Sequence, residues 1–104
     1  MYARNVTFKI KPNMQPDYTH AFENQILPLL QKQKGFKEEI TLCSRGTADV
    51  VSISLWENKN NADDYNTNTY PEVLKTLAKT IDGTPRVQTF ETVVSTFHNV
   101  HAAV

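Results

Sequence analysis

The stretch SISLWENKNNADDYNTNTYPEVLKTL, residues 52–77, decides the fold of this 104-residue chain. It begins as the end of a strand whose two faces are both apolar, a pattern typical of a strand that is covered on both sides. Asparagines that suit helix caps follow at 58–61, and a helix begins there. The segment 67–70 interrupts that helix, and Pro71 suits the first position of a second one. We therefore predict a covered strand followed by a broken helical crossover.

Outward from this stretch, hydrophobic spacing predicts the remaining elements. Val6, Phe8 and Ile10 alternate on one face of a first strand, and Pro28 interrupts the apolar stripe of the first helix, where a kink is expected. The predicted order is a strand at Tyr2–Ile10, a helix at Pro16–Lys34, strands at Phe36–Arg45 and Ala48–Glu57, helices after Asn58 and from Pro71 to Ile81, and a last strand at Val87–Val100. This βαββαβ order predicts an α+β, ferredoxin-like domain over residues 1–104, with a four-stranded antiparallel sheet and both helices on one face.

The number of helices and the apolar side chains on both faces of the sheet predict a homodimer. Two helices can cover only one face of four strands, yet the last strand is apolar on both faces, and so is the third. Large side chains on the uncovered face would form a patch of the kind that marks an interface. Burying each contributes roughly 1.5–3 kcal/mol. The alternative is that they are scattered singly, as is normal on surfaces. The residues concerned on the last strand are Val87, Val93 and Phe97 on one face, and Phe90 and Val94 on the other.

The composition of the chain argues against several classes of partner. Lysine plus arginine equals aspartate plus glutamate at 11 each, and no basic run occurs, so neither nucleic acid nor a membrane surface is an expected partner. No apolar stretch approaches a membrane span, and no signal segment leads the chain, which predicts a cytoplasmic protein. The single cysteine, Cys43, is interpreted as a small buried residue. His20, His98 and His101 are interpreted as surface or interface residues, so no metal site is predicted.

Three aromatic residues form the most suggestive group for a site. Trp56 closes the third strand, and Tyr65 and Tyr70 come from the interrupted helical segment that follows it. Broken helices often line cavities, and an apolar cleft with a few polar groups is the usual small-molecule site. The alternative is that these aromatic rings pack in the core. Glycine-rich nucleotide-binding motifs are absent, which gives no support for a nucleotide cofactor.

Three segments together resemble the antibiotic biosynthesis monooxygenase (ABM) family of dimeric α+β barrel proteins. They are FKIKPNMQPDY at 8–18, FENQILPLLQKQKGF at 22–36 and, most specifically, the stretch quoted above. The resemblance covers nearly the whole chain and implies face-to-face pairing of two sheets. The heme-degrading branch of the family matches poorly, because its asparagine, tryptophan and histidine positions fall near Val6, Tyr65 and Ala78 here, and Asn5 is one position off.

The resemblance implies a cofactor-independent monooxygenase acting on a small aromatic or quinol-type molecule. Such an enzyme holds a phenol or enol in a dry pocket, favours its deprotonation and lets the anion react with dioxygen. Trp56 and Tyr65 are then the catalytic candidates, and Tyr70, Ser52 and Ser54 the substrate-binding candidates, in a pocket between sheet and helices. No general base stands out. A non-catalytic dimeric ligand-binding protein and an isomerase of a small oxygenated metabolite remain open.

Overall fold

The elements of the computed structural model, which describes residues 1–96, follow the predicted order. In that part of the chain they are β1 (Tyr2–Ile10), α1 (Gln15–Ala21), a π-helical turn (Phe22–Ile26), α2 (Leu27–Gln31), β2 (Phe36–Cys43), β3 (Asp49–Trp56), α3 (Lys59–Asn68), α4 (Tyr70–Leu77) and β4 (Ile81–Glu91). Phe97, His98, His101 and residues 97–100 of the predicted last strand lie outside the described residues. The predicted end of that strand is wrong within them, because β4 ends at Glu91, and Val93 and Val94 lie beyond it as exposed residues. Within residues 1–96, no helix is long and apolar enough to cross a membrane.

The sheet has the predicted topology. Over the described residues its strand order is β2-β3-β1-β4, and every neighbouring pair is antiparallel. Phe8, Val50 and Trp56 project from one face of the sheet into the hydrophobic core, where they meet residues from all the helices. The α+β, ferredoxin-like prediction is therefore confirmed.

The first helix is perturbed at the expected place. Pro28 has no N–H to donate to the carbonyl of Asn24, and its ring would press on that carbonyl. The turn that precedes it is wound as a π-helix, and the Leu27 N–H donates to the Phe22 carbonyl, five residues back. A π-turn is a common way to absorb such a defect. The helix ends at Gln31, three residues before the predicted end.

The boundaries predicted for the last crossover are wrong. Helix α4 ends at Leu77, and Ile81 is the first residue of β4, where it pairs with Ile10. Residues 83–85 form a bulge opposite Phe8, because β1 and β4 change register there, and Gly83 adopts the left-handed φ of 77° that the bulge uses.

The face of the sheet away from the helices carries large apolar side chains that nothing in residues 1–96 covers. Ile40 is 53% exposed and Phe90 is 51% exposed. A register shift lies between Phe36 and Glu38. Phe36 therefore packs edge-on against Trp56 on the helical side, whereas regular alternation along β2 would put it on the same face as Ile40. We call the uncovered side the open face; its large apolar residues are Ile40, Leu42, Val51, Ile53, Leu55 and Phe90.

The interpretation of Cys43 as a buried residue is wrong. It is the last residue of β2, an edge strand of the sheet, and its free thiol belongs to an exposed residue. A strand end at a sheet edge has a neighbour on one side only, which leaves a small side chain accessible.

Candidate functional site

A buried arginine lies at the centre of the helical side of the sheet. Arg4 is 2% exposed and follows the alternation that places Val6 and Phe8 on the same side. Its guanidinium carbon lies 4.4 Å from the ring centroid of Tyr70 and 5.0 Å from that of Tyr65. The ring faces of two tyrosines therefore hold the cation.

The guanidinium keeps unused hydrogen-bonding capacity. Both Nη1 and Nη2 of Arg4 are buried, and neither makes a hydrogen bond of ordinary geometry among residues 1–96, although a weaker contact with the Tyr70 hydroxyl favours the charged form. Burial lowers the pKa of Arg4, while the neighbouring Tyr65 and Tyr70 oppose that shift. Arginine nevertheless stays protonated in proteins, so the group remains a cation. Buried charges are normally paired, because an unpaired one is costly. The guanidinium of Arg4 can therefore donate hydrogen bonds to an anionic or strongly polar oxygen.

The break between α3 and α4 positions the two tyrosines over Arg4. Asn58 caps the start of helix α3 by accepting a hydrogen bond from the Asn61 N–H, and the helix ends before Thr69. Helix α4 then starts with Tyr70, so Tyr65 and Tyr70 come from different helices. Their ring centroids nevertheless lie only 5.9 Å apart. Burial raises the pKa of both tyrosines, and the Arg4 charge opposes the rise. Both hydroxyls therefore stay protonated near neutral pH.

Trp56 lies behind this group and does not line the cavity. It is 0% exposed, its ring centroid lies 4.9 Å from that of Tyr65, and its Nε1–H donates to Ser54 Oγ at 2.9 Å. Its contacts support the position of Tyr65 and the orientation of the Ser54 hydroxyl. The structure thus places Trp56 where it can act on a ligand only through those two residues.

Arg4 and both tyrosines face a small interior cavity. Its volume is about 30 Å³, which is room for one or two water molecules. The predicted binding residues Ser52, Ser54 and Tyr70 line it, together with Tyr65. The complete lining is Arg4, Val6, Phe8, Tyr18, Phe22, Ile26, Leu30, Glu39, Ser52, Ser54, Tyr65, Tyr70, Val73 and Leu77.

Glu39 is the acidic member of that lining. Its Oε1 accepts hydrogen bonds from Thr41 Oγ1 and from Ser52 Oγ, each at 2.7 Å. Burial raises the pKa of Glu39, and the two hydrogen bonds oppose the rise. A half-buried carboxyl group therefore shares a cavity with a buried guanidinium, and the two are not an ion pair in the described part of the chain.

A wider groove adjoins the interior cavity. Its volume is about 320 Å³, and it runs between α1, the π-turn and the edge strand β2. Three residues, Tyr18, Phe22 and Glu39, line both spaces and so separate the groove from the cavity. Burial raises the pKa of Tyr18, whose buried hydroxyl has no hydrogen-bond partner of ordinary geometry within residues 1–96.

Sequence reasoning missed Arg4 and Glu39. The alternation of β1 contains a signal for Arg4, since it has the same parity as Val6, Phe8 and Ile10, and a charged residue on a core face is unusual. Glu39 carried no such signal, because the register shift after Phe36 reverses which residues of β2 face the helices.

Among residues 1–96, no group of three or more histidine, cysteine, aspartate or glutamate side chains could hold a metal ion. Two of the three histidines lie outside those residues.

Solved structures share this arrangement of elements. A protein from Bordetella bronchiseptica assigned as an antibiotic biosynthesis monooxygenase superposes with a TM-score of 0.75 at 17% identity, covering 89% of this chain and 97% of that one. The ActVA-Orf6 monooxygenase of Streptomyces coelicolor, in complex with nanaomycin D, gives 0.75 at 16% identity, covering 90% and 88%. This chain has the ABM fold. SnoaB of Streptomyces nogalater, a cofactor-independent oxygenase, gives 0.72 at 14% identity over 93% and 97% of the two chains.

The resemblance predicted from sequence is thereby confirmed for the ABM fold. Similar structures also include proteins of unknown function. No protein-family model matches the sequence, and no curated protein matches it. At identities this low, the ABM fold is what the likeness shows, and the chemistry has to be argued from the site.

Replacing Arg4 by methionine should stabilise the protein. Methionine fills similar space without donors that lack partners, so we expect the free energy of unfolding to rise by about 1 kcal/mol, net of the lost contact with the two rings. Urea denaturation measures the change. Arg45→Met, in the exposed turn between β2 and β3, is the control and should change the value by less than about 0.5 kcal/mol. Destabilisation by Arg4→Met would mean that the fold itself satisfies the guanidinium.

Proposed function

We propose that the protein is a cofactor-independent oxygenase that acts on a small aromatic or quinol-type molecule. The observation that carries the proposal is the buried, unpaired guanidinium of Arg4, which faces a cavity lined by tyrosine and serine hydroxyls. Such a group suits a reaction in which negative charge develops on a substrate oxygen. The shared fold with SnoaB and ActVA-Orf6 supports this choice of reaction.

The proposed chemistry begins with loss of a proton from the substrate. The resulting phenolate or enolate is electron-rich enough to reduce dioxygen, the co-reactant. When the oxidised carbon is a CH2 group beside an aromatic ketone, it becomes C=O. One oxygen atom of dioxygen is retained there, and the other leaves as water with the two hydrogens. The protein's part is to stabilise the anion and to exclude bulk water.

The lining residues take distinct roles in this proposal. Arg4 donates hydrogen bonds to the substrate oxyanion. Tyr65 and Tyr70, whose raised pKa keeps them protonated, act as further donors or stack against the substrate ring. Ser52 and Ser54 offer hydroxyl groups at the floor of the cavity. Trp56 holds Tyr65 and Ser54 in place.

The substrate ring requires more room than the interior cavity provides. A cavity that binds benzene has a volume of about 150 Å³, whereas the interior cavity has only about 30 Å³. The adjoining groove of about 320 Å³ is large enough for one or two rings. We therefore place the ring in the groove, with its reacting oxygen directed past Tyr18 and Phe22 towards Arg4.

We further propose that two copies pair through their open faces. The open face carries six large apolar residues, and Ile40 and Phe90 on it are each about half exposed in the single chain. At roughly 1.5–3 kcal/mol per buried side chain, burial of these groups is enough to outweigh the entropic cost of association. Pairing would place the two substrate grooves on the outside of the dimer, because the helices lie on the opposite side of each sheet.

Oxygen consumption tests the proposed activity. With hydroquinones and hydroxyanthrones as substrates, we expect the wild-type protein to take up oxygen, and Arg4→Met to lower kcat/KM about 100-fold, because an anion-stabilising donor is removed. Tyr65→Phe should lower it less, and the control Arg45→Met should not change it. Uptake that is equal in all four proteins would indicate background autoxidation. Stabilisation of the protein by these compounds without uptake would favour the non-catalytic binding protein instead.

Sedimentation tests the pairing of the open faces. The wild-type protein should sediment as a dimer, and the double variant Ile40→Lys, Phe90→Lys should sediment as a monomer, because two charges would be buried at the interface. Thr89→Lys is the control on the same strand, since Thr89 pairs with Arg4 and points to the other side of the sheet. A wild-type monomer at micromolar concentration, or a dimer of the double variant, would refute this pairing.

A further inference from the structure

We infer that Glu39 is the general base of the site, and that it removes a proton from a substrate whose oxygen is held by Arg4. The inference rests on the proposed function and adds the proton acceptor that sequence reasoning could not find. Three observations carry it: the alignment of Glu39 with Arg4 across the sheet, the free side of its carboxylate, and its place between the groove and the cavity.

Arg4 and Glu39 lie in one row across the helical side of the sheet. Ser54 pairs with Arg4 on one side and with Glu39 on the other. Since neighbouring strands are about 4.8 Å apart, the two Cα atoms are separated by about 10 Å. Arg4 lies against the rings of Tyr65 and Tyr70, and Glu39 is bonded to Thr41 and Ser52. The two side chains form no ion pair within residues 1–96, and both line the same cavity.

Ser54 lies between the two residues in this row. Ser54 accepts a hydrogen bond from Trp56 Nε1, and Arg4 is turned towards the rings of Tyr65 and Tyr70. Stability alone would favour closing Arg4 onto Glu39, because an ion pair would relieve two desolvated charges. Because the two opposite charges face the same cavity without bonding to each other, both are available to a ligand.

The carboxylate of Glu39 presents one oxygen to the ligand. Both hydrogen bonds found within residues 1–96, from Thr41 and Ser52, go to Oε1. They fix the plane of the carboxylate and leave Oε2 as the acceptor. Because Glu39 lines both the cavity and the groove, Oε2 is accessible to a substrate that lies in the groove.

The surroundings of Glu39 raise its proton affinity. The titratable groups around it are Tyr18 on α1, Tyr65 on α3, Cys43 on its own strand and Arg4 on β1, and Glu23 lies farther out on the groove wall. Apart from Arg4, none of them is a cation. Burial is the largest cause of the raised pKa of Glu39. A carboxylate with a raised pKa is a better base towards a weak acid near neutral pH.

The proton transfer conserves charge within the site. The substrate O–H or C–H bond breaks, its electron pair stays on the substrate, and the proton forms a bond to Glu39 Oε2. The negative charge moves from the Glu39 carboxylate to a substrate oxygen that faces Arg4. The substrate class is therefore a neutral weak acid, such as a phenol, an enol or a ketone with an acidic C–H. A carboxylate ligand would bring a second negative charge close to Glu39.

Anaerobic hydrogen exchange separates the base from the oxygenase step. In D2O without oxygen, we expect the wild-type protein to speed deuterium incorporation at the CH2 carbon of 1,8-dihydroxyanthrone, followed by NMR. Glu39→Gln keeps the shape of the side chain and an acceptor for Thr41 and Ser52, and should slow exchange about 100-fold with little change in KM. Its rate should also lose the rise with pH that accompanies ionisation of Glu39. Glu38→Gln, on the opposite side of the same strand, should match the wild type.

The pH dependence of thermal stability checks that the effect of Glu39→Gln comes from loss of the ionisable carboxyl group. Because the pKa of Glu39 is raised in the folded state, its ionisation costs stability as pH rises above the usual glutamate range. Wild type should therefore lose thermal stability relative to Glu39→Gln over that pH window. Exchange by Glu39→Gln at the wild-type rate, or with the wild-type pH dependence, would overturn the inference, as would no exchange by the wild type. Exchange without oxygen uptake would retain the base and reject the oxygenase.

Discussion

The site depends on a guanidinium group that the fold encloses without giving it a carboxylate partner. Arg4 comes from a central strand, is covered by Tyr65 and Tyr70, and has two terminal nitrogens that make no hydrogen bond of ordinary geometry in residues 1–96. An isolated buried charge lowers the stability of a fold, which favours a role for Arg4 in binding a polar group in the cavity. A developing oxyanion satisfies both its charge and its two donors.

Three local irregularities arrange the surroundings of Arg4. The break at Thr69 allows Tyr65 and Tyr70 to approach the same cation from two helices. The register shift at the start of β2 turns Glu39 to the helical side of the sheet. The π-turn before Pro28 contains Phe22, which lies with Tyr18 between groove and cavity. Irregular backbone is common at functional sites, because regular elements alone rarely bring such groups together.

The sequence predicted the fold better than the site, for physical reasons. Apolar periodicity and the caps around Asn58 report on local structure, and they predicted the element order and topology correctly. The bulge at 83–85 and the shift after Phe36 arise from pairing with distant strands, so local patterns misplaced Ile81 and concealed Glu39. The aromatic group was predicted as a unit, but only three-dimensional packing distinguishes Tyr65 and Tyr70 at the cavity from Trp56 behind them. The position of Arg4 on the core face could have been predicted, because it alternates along β1 with Val6 and Phe8.

The central claim is that Arg4 receives a substrate oxygen. A crystal structure of the protein with a hydroquinone bound under anaerobic conditions tests it most directly. We expect a ligand oxygen within about 3 Å of Arg4 Nη1 or Nη2, with the ring in the groove beside Tyr18 and Phe22. A structure in which both nitrogens bind a carboxylate of this chain or of a second copy, with the ligand elsewhere, would contradict it.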